Sequence, residues 1–524
     1  MSKAPAGYWT CPETMTRLEE MVLKRLTRTG RLFAFLRRMR HRLFDEAFQQ
    51  ELMAMYAESP RGESPKPPAM LAMVTLLQAY ERKSDAAAVE EAVFDRRWQM
   101  VLNCVGLEEP PFSQGVLVDF RRRLVAHNMD RRLLDRTVEL AKESGLFGHK
   151  ALRVALDSSP LWGAGKVEDT FNLIGRALDA VVECAAAALG VKRETVQRQA
   201  GLELLGEKSL KAELDIDWDD PKAKGVALQR LLADVQRIRD WVNDKLKSTA
   251  AHPQLTKALH LLERLISQDL EPDPGGGMRI KDGVAKERRI SVQDADMRHG
   301  RKSKSRVFNG YKRHAAKAME PPLILAVCAR PANEPEYEAA ALLRPEVEAH
   351  GEVDSLLIDR GYLAANWVKE AHAEGGSVIC KPWPVRNGDL FAKTAFNIDL
   401  ANQSVTCPAK KTAAIEGTKA QFDARDCDQC ALRAQCTRAQ LGNGRSVAIH
   451  EQEALLIQLR ERKATPEGRA QLRERTTIEH SLAHIGRRQG PRARYIGERM
   501  NTFDLRRVAA VENLHSLDRL QRVA

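Results

Sequence analysis

The chain has 524 residues, carries 83 Lys and Arg against 71 Asp and Glu, and has a formal net charge of +12. That length excludes a single small module and allows more than one core. No apolar run is long and uninterrupted enough to span a bilayer, which excludes a membrane-embedded chain, and the positive balance favours a polyanionic partner.

In chain order, the N-terminus MSKAPAGYWTCPE lacks the basic flank and apolar run of a secretory signal. With an odd total of nine cysteines, this predicts reduced thiols and a cytoplasmic protein. Residues 15–55 are basic and amphipathic, with positives concentrated from Arg31 to Arg42. SPRGESPKPPAM interrupts the pattern, and helical periodicity resumes in AMLAMVTLLQAYERKSDAAAVEEAVFDRRWQMVLNCVG. In PFSQGVLVDFRRRL, Ser113 is suited to cap a helix whose apolar side holds Val116, Phe120 and Leu124, beside Arg121 to Arg123. Such a helix offers arginines to a phosphate backbone; a surface helix with its stripe on a core explains the same pattern. Residues 1–150 are therefore expected to be helical.

RVALDSSPLWGAG changes character: a short β-prone run is predicted to end at Asp157, with Pro160, Gly163 and Gly165 in a loop after it. This opens a catalytic region expected over 151–524. From about 170 to 275 the pattern returns to helices, read as an insertion that EPDPGGG terminates. Strand-like pieces follow in RRISVQD, RVFNGYKRHAA, LILAVCARPA, SLLIDRGY and SVICKPW, with a helix in LAANWVKEAHAEG. The stretch EQEALLIQLRERKATPEGRAQLRERTTIEHSLAHIGRR is charged and helix-prone, broken at Pro466.

Asp157 and Asp359 each end an apolar run with β-branched residues, which suits neighbouring strands of one sheet, and Glu479 lies on a predicted helix. Carboxylates so gathered share two divalent ions about 3.5 to 4 Å apart, which activate the attacking oxygen and stabilise the leaving oxygen of a phosphodiester. Mg²⁺, or Mn²⁺, fits such a set. Arg475, one turn before Glu479, is placed to hold a phosphate or steady the glutamate. Each acid also has an ordinary reading, as a turn residue, a cap or a surface charge.

RHGRKSKS places Arg298, His299, Arg301, Lys302 and Lys304 between predicted strands, with Ser303 and Ser305, a set suited to backbone phosphates. A solvated hairpin accounts for much of the same composition. Asp294 and Asp296, just before it, are the chief rivals for a metal role. Tyr311 and Lys312 follow on a strand that either faces DNA or turns its aromatic into a core. Arg487 to Arg494 form another basic cluster, with Arg487 and Arg488 on the helix of Glu479.

Cys407, Cys427, Cys430 and Cys436 fall in one stretch, about 400–440, that includes a CxxC pair. Four thiolates of this kind make a tetrahedral, structural Zn²⁺ site with no position left open for substrate. The alternative is buried thiols without a metal, which the wide first spacing keeps open. No GxxxxGK[ST] run is present, which argues against a nucleotide-driven helicase.

The pieces PPFSQGVLVDFRRRL, ALDSSPLWGAGKVEDTFNLIG, DADMRHGRKSKSRVFNGYKRHAA, ILAVCARPANEPE, IDRGYLA, CPAKK with FDARDCDQCALRAQCT, and RERTTIEHSLAHIGRRQGPRARYIGERMN occur in this order. As a set they resemble bacterial insertion-sequence transposases of the DDE type, in particular the IS1182-like group. The resemblance implies an α/β, ribonuclease-H-like catalytic domain with a helical insertion and a four-cysteine zinc-binding insertion, preceded by an all-helical DNA-binding domain. It implies catalysis by Asp157, Asp359 and Glu479, which cleaves the element's ends and joins them to target DNA. It also implies partners: double-stranded DNA at terminal inverted repeats, target DNA, and a second copy of the chain on paired ends. Of the tyrosine, arginine and lysine that accompany the glutamate in related transposases, only the arginine is matched, by Arg475. Leu472 and Gly486 stand in the other two places, and Arg487 or Arg488 is left to serve for the lysine. A nuclease of the same fold and a non-enzymatic, zinc-containing DNA-binding regulator are the rival readings.

Overall fold

The computed structural model describes residues 7–27, 30–56, 65–148, 150–205, 210–246, 249–303 and 305–523. Lys304 therefore lies outside the described residues. In chain order the first eight strands are β1 (Leu152–Trp162), β2 (Leu270–Pro272), β3 (Met278–Ile280), β4 (Arg298–Arg301), β5 (Val307–Ala318), β6 (Ile324–Pro331), β7 (Val353–Ile358) and β8 (Ser377–Ile379). Most of the remaining described chain is helical.

Among the described residues eight helices precede β1, from Arg17–Arg25 to Met129–Glu143. Their ends follow from local chemistry: Thr16, Asp45, Ser84 and Ser113 each accept a backbone N–H of the first turn, satisfying donors that a helix start leaves unpaired. Pro68–Glu81 is buried along nearly its whole length, as its run of Ala, Met, Leu and Val requires. The arginines of Arg31–Leu43 do not all face outward. Arg37 and Arg40 are 1 % exposed, Arg37 held by Glu19 and Arg40 by the carbonyls of Met100 and Val101. A basic run that reads as a phosphate-binding face is thus partly internal.

The central sheet has the order β4-β5-β1-β7-β8, with β6 also on β5. β1 and β5 pair antiparallel from Val154 opposite Ala318 to Trp162 opposite Gly310. On its other side β1 pairs in parallel with β7 only as far as Leu156 opposite Ile358. β1 thus outruns β7, and from Asp157 to Leu161 that edge has no strand beside it among the described residues. The expected loop after Asp157 is corrected accordingly: the strand continues through Pro160, which is tolerated because proline removes a donor only where an edge is open. RRISVQD, expected as a strand, carries none; Ile290 and Ser291 are buried in irregular chain.

One buried cluster runs from Phe33, Leu76 and Trp98 in the N-terminal helices through Val154, Leu325 and Leu357 of the sheet to Leu514 in the C-terminal helix, Glu498–Val523. That last helix packs on β6 and on Pro68–Glu81 and Met129–Glu143. The helices Thr170–Leu189, Pro221–Lys245 and Pro253–Asp269 enclose a core of their own around Leu178, Leu231 and Leu262. Five short antiparallel strands between Asn397 and Ala448 close a third, around Val405, Phe396 and Phe422.

The expected fold class is corrected. An α/β, ribonuclease-H-like domain carrying a four-cysteine zinc insertion is not what these elements make up: the chain is mostly helical, around one six-stranded sheet. Among the described residues no group of three or more His, Cys, Asp or Glu is arranged to hold a metal ion. All nine cysteines are free. Cys407, Cys427, Cys430 and Cys436 surround an apolar space of only about 30 Å³. Their sulfurs are used locally: Cys407, Cys427 and Cys430 accept backbone N–H groups, and Cys407, Cys427 and Cys436 pack against the Phe396 and Phe422 core. Among the described residues no helix is long and apolar enough to cross a membrane.

Candidate nucleic-acid interface and acidic cleft

The open edge of β1 forms one wall of a cleft of about 680 Å³. Asp157 enters it from β1, Asp359 from the turn that follows β7, and Glu479 from the helix Thr476–Gln489. That helix buries Ile478, Leu482 and Ile485, an i, i+4, i+7 stripe, against the sheet; the neighbouring face carries Glu479, Ala483 and Gly486 into the cleft. The separated carboxylates share one concavity because two adjacent strands and one docked helix end beside it.

Arg475 lies between two of them. One guanidinium nitrogen donates to Asp157 Oδ2 at 3.0 Å and the other to Glu479 Oε1 at 2.7 Å. The Asp157 side chain is 14 % exposed, and burial pushes its carboxyl up to about 6, aided by the nearby charges of Asp359 and Glu479. The Ser158 N–H and the Arg475 charge oppose that shift without cancelling it.

The expectation of Mg²⁺ or Mn²⁺ on Asp157, Asp359 and Glu479, and of structural Zn²⁺ on the four cysteines, is corrected by the same absence of a ligand cluster. The acids do not present a converging set of free carboxylates: a guanidinium already bridges Asp157 and Glu479, and Asp157 is buried where its charge is disfavoured.

The basic residues divide. Arg301, Lys302, Lys312 and Arg475 line the cleft, joined by Arg306 and Arg313, which sequence reasoning did not single out. Arg313 donates to the carbonyls of Pro160 and Gly490, and burial pushes it down to about 10. Lys312 spends its ammonium on the Glu334 carbonyl. His299 is exposed and bonds Asn309. Arg298 is buried, its head group on the carbonyls of Ala295 and Met297. Arg487 is exposed, and Arg488 pairs with Glu512 outside the acidic cleft. The rival acids are occupied elsewhere: Asp294 is buried and accepts from Tyr311 Oη at 2.6 Å, and Asp296 accepts the Glu498 N–H. Tyr311 is core, not a DNA-facing ring.

Two more groups in the cleft escaped sequence reasoning. Glu336, at the start of Glu336–Glu348, takes a hydrogen bond from Ser158 Oγ beside Asp157. A Cβ on Gly361 would lie 1.8 Å from Glu336 Oε2, so only glycine lets the turn after Asp359 close over this acid. Trp162, 45 % exposed at the end of β1, gives the cleft an aromatic face. Its backbone is held by Pro491 and Ala493. The only cue to Glu336 was its place in PANEPEYE, which reads as an acidic helix start.

Behind the wall, His314 Nδ1 and Tyr362 Oη meet at 2.6 Å, both fully buried, and burial pushes the imidazole down to about 3, so it is neutral.

Residues 401–517 match the family described as "Transposase DDE domain", and residues 22–123 match "Transposase domain (DUF772)". The first match contains Arg475 and Glu479; Asp157 and Asp359 lie outside both. The chain thus carries a DDE-type transposase domain and a transposase-associated helical domain. No curated protein and no solved structure matches it.

Proposed function

We propose that this transposase-like chain is a DNA transposase that cleaves the ends of an insertion sequence and joins them to target DNA, with Asp157, Asp359 and Glu479 as its catalytic acids. The observation that carries the reading is the meeting of three distant carboxylates with Arg301, Lys302, Arg306 and Arg475 in one open cleft. The two transposase-domain matches support it.

In this scheme the arginines and lysines seat the phosphate beside the open edge of β1. Asp157, with a carboxyl near 6, takes the proton of the attacking water at neutral pH. Water attacks phosphorus, the bond to the 3′ oxygen breaks, and that oxygen leaves as a free 3′-hydroxyl, taking its proton from solvent water while Asp157 releases to solvent the one it accepted. In the second step this hydroxyl, giving its proton to Asp157, attacks a target phosphodiester; the bond to the target strand's own 3′ oxygen breaks and that oxygen is protonated from solvent, so that one phosphodiester replaces another with no net hydrolysis. Arg475 offsets charge on the acids and on the pentavalent phosphorus. The DNA is held as two ends, each with its own copy of the chain.

The test is incubation of the full chain, in physiological salts, with labelled DNA carrying the element's terminal repeats and a target plasmid, beside an Asp157→Asn control. Nicking at the ends followed by joined product, both lost in the control, is expected. Cleavage without joining indicates a nuclease; binding without cleavage indicates a regulator.

A further inference from the structure

A second cleft, of about 540 Å³, lies across the segment 489–492 from the acidic one. Its walls come from the end of Pro68–Glu81, the end of Thr476–Gln489 with the chain after it, and the C-terminal helix Glu498–Val523. Five arginines line it: Arg82, Arg488, Arg492, Arg494 and Arg507. The two acids that line it among the described residues, Glu81 and Asp504, are already engaged, Glu81 by Arg97 and Trp98, and Asp504 by Arg507 and Gln489. Arg488 is paired with Glu512. Arg82, Arg492 and Arg494 have no carboxylate partner among the described residues and are exposed, so the cleft keeps an uncompensated positive charge. Arg507, 3 % exposed, has a buried Nη1 with no hydrogen-bond partner among the described residues.

The two clefts share their dividing wall. Arg313 of the acidic cleft bonds Gln489 Oε1 and the Gly490 carbonyl, while Gln489 lines the arginine cleft. Arg492 bonds the Gly163 carbonyl, next to Trp162 of the acidic cleft. A small anion would satisfy one cleft alone; a polyanion with regularly spaced phosphates satisfies both at once.

We infer that the arginine cleft binds the phosphodiester backbone of the DNA that leads away from the acidic cleft, which deepens the proposed function and rests on it. Arg82 and Arg494 are exposed, Arg494 with one guanidinium nitrogen on the Arg82 carbonyl, and they reach the phosphates, while Arg492, fixed on two carbonyls, anchors the wall between the clefts.

The test is fluorescence anisotropy of the full chain with a labelled duplex across a range of salt concentrations, for the native chain and for Arg82→Gln with Arg494→Gln. Loss of two phosphate contacts is expected to weaken binding roughly tenfold or more at low salt and to lower the slope of log K against log salt by about two. Arg494→Lys, which keeps the charge, should recover part of the loss in the single Arg494 position, and melting curves of the variants guard against misfolding. Unchanged affinity and slope in the folded double variant overturn the inference while leaving the function standing. Displacement of the duplex by millimolar inorganic pyrophosphate in the native chain but not in the double variant supports a phosphate site; pyrophosphate binding lost in the variant with duplex binding intact assigns the cleft to a free anion and overturns it. No duplex binding by the native chain overturns both readings.

Discussion

Arg475 reaches Asp157 at 3.0 Å across a separation of 318 residues, and it is the only bridge of that kind between the helix of Glu479 and the carboxylate of β1 among the described residues. The pair joins the acid whose charge burial disfavours to the cation that favours it.

Strand cleavage should therefore rise with pH through about 6, as Asp157 becomes the base form. Since the Arg475 charge lowers that value, Arg475→Gln should move the rise to higher pH, with a larger loss of rate at pH 6 than at pH 8.5. Rates of nicking across pH check this; a fall of equal size at every pH would count against the coupling.

Asp157→Asn should make the fold more stable while abolishing cleavage. The unfolded carboxyl ionises near its ordinary value and the folded one not until about 6, so its cost to stability grows between those values and is complete above them. A gain of about 1 to 3 kcal/mol at pH 8, smaller at pH 5, is expected from urea titrations.

Tyr362→Phe should leave His314 Nδ1 buried without a partner, at a cost of about 1 to 3 kcal/mol in urea unfolding. Because burial pushes His314 down to about 3, the unfolded chain takes up a proton below about pH 6.5 that the folded chain refuses. Stability should accordingly fall as pH drops from 6.5, and less so in His314→Phe.

Gly310→Ala should destabilise by about 2 to 4 kcal/mol. Gly310 has φ +146, and a Cβ there would lie 2.2 Å from the Gly163 nitrogen and 2.4 Å from the Leu161 carbonyl oxygen. Circular-dichroism melting reads the loss, and a quenched or shifted Trp162 emission would show that the end of β1 has moved.

The elements carrying Asp157, Asp359 and Glu479 were legible because each follows a local rule: apolar β-prone runs for the first two, and a four-residue Arg475 to Glu479 spacing for the third. The continuation of β1 through Pro160 was not, because what permits proline there is the early end of β7, nearly 200 residues later in the chain. Glu336 was missed for the same reason, since its partner Ser158 is remote in sequence. Arg298 looked like its neighbours in RHGRKSKS but alternates inward on β4, a period-two fact that a loop reading discards. The cysteine spacing suggested a ligand set, whereas thiols on backbone N–H groups and on Phe396 and Phe422 are a matter of three-dimensional packing.

The vacant edge of β1 also works as a ruler. It is closed at one end by Leu156 against Ile358 and at the other by Trp162 against Pro491 and Ala493, so its length is set by the rise of a single strand, about 20 Å at roughly 3.3 Å per residue. That is a span of some six stacked nucleotides at about 3.4 Å each. Inserting or deleting one residue between Asp157 and Leu161 would do more than lengthen or shorten it. Every side chain beyond the change would swap faces, and Trp162 would exchange the cleft for the interior.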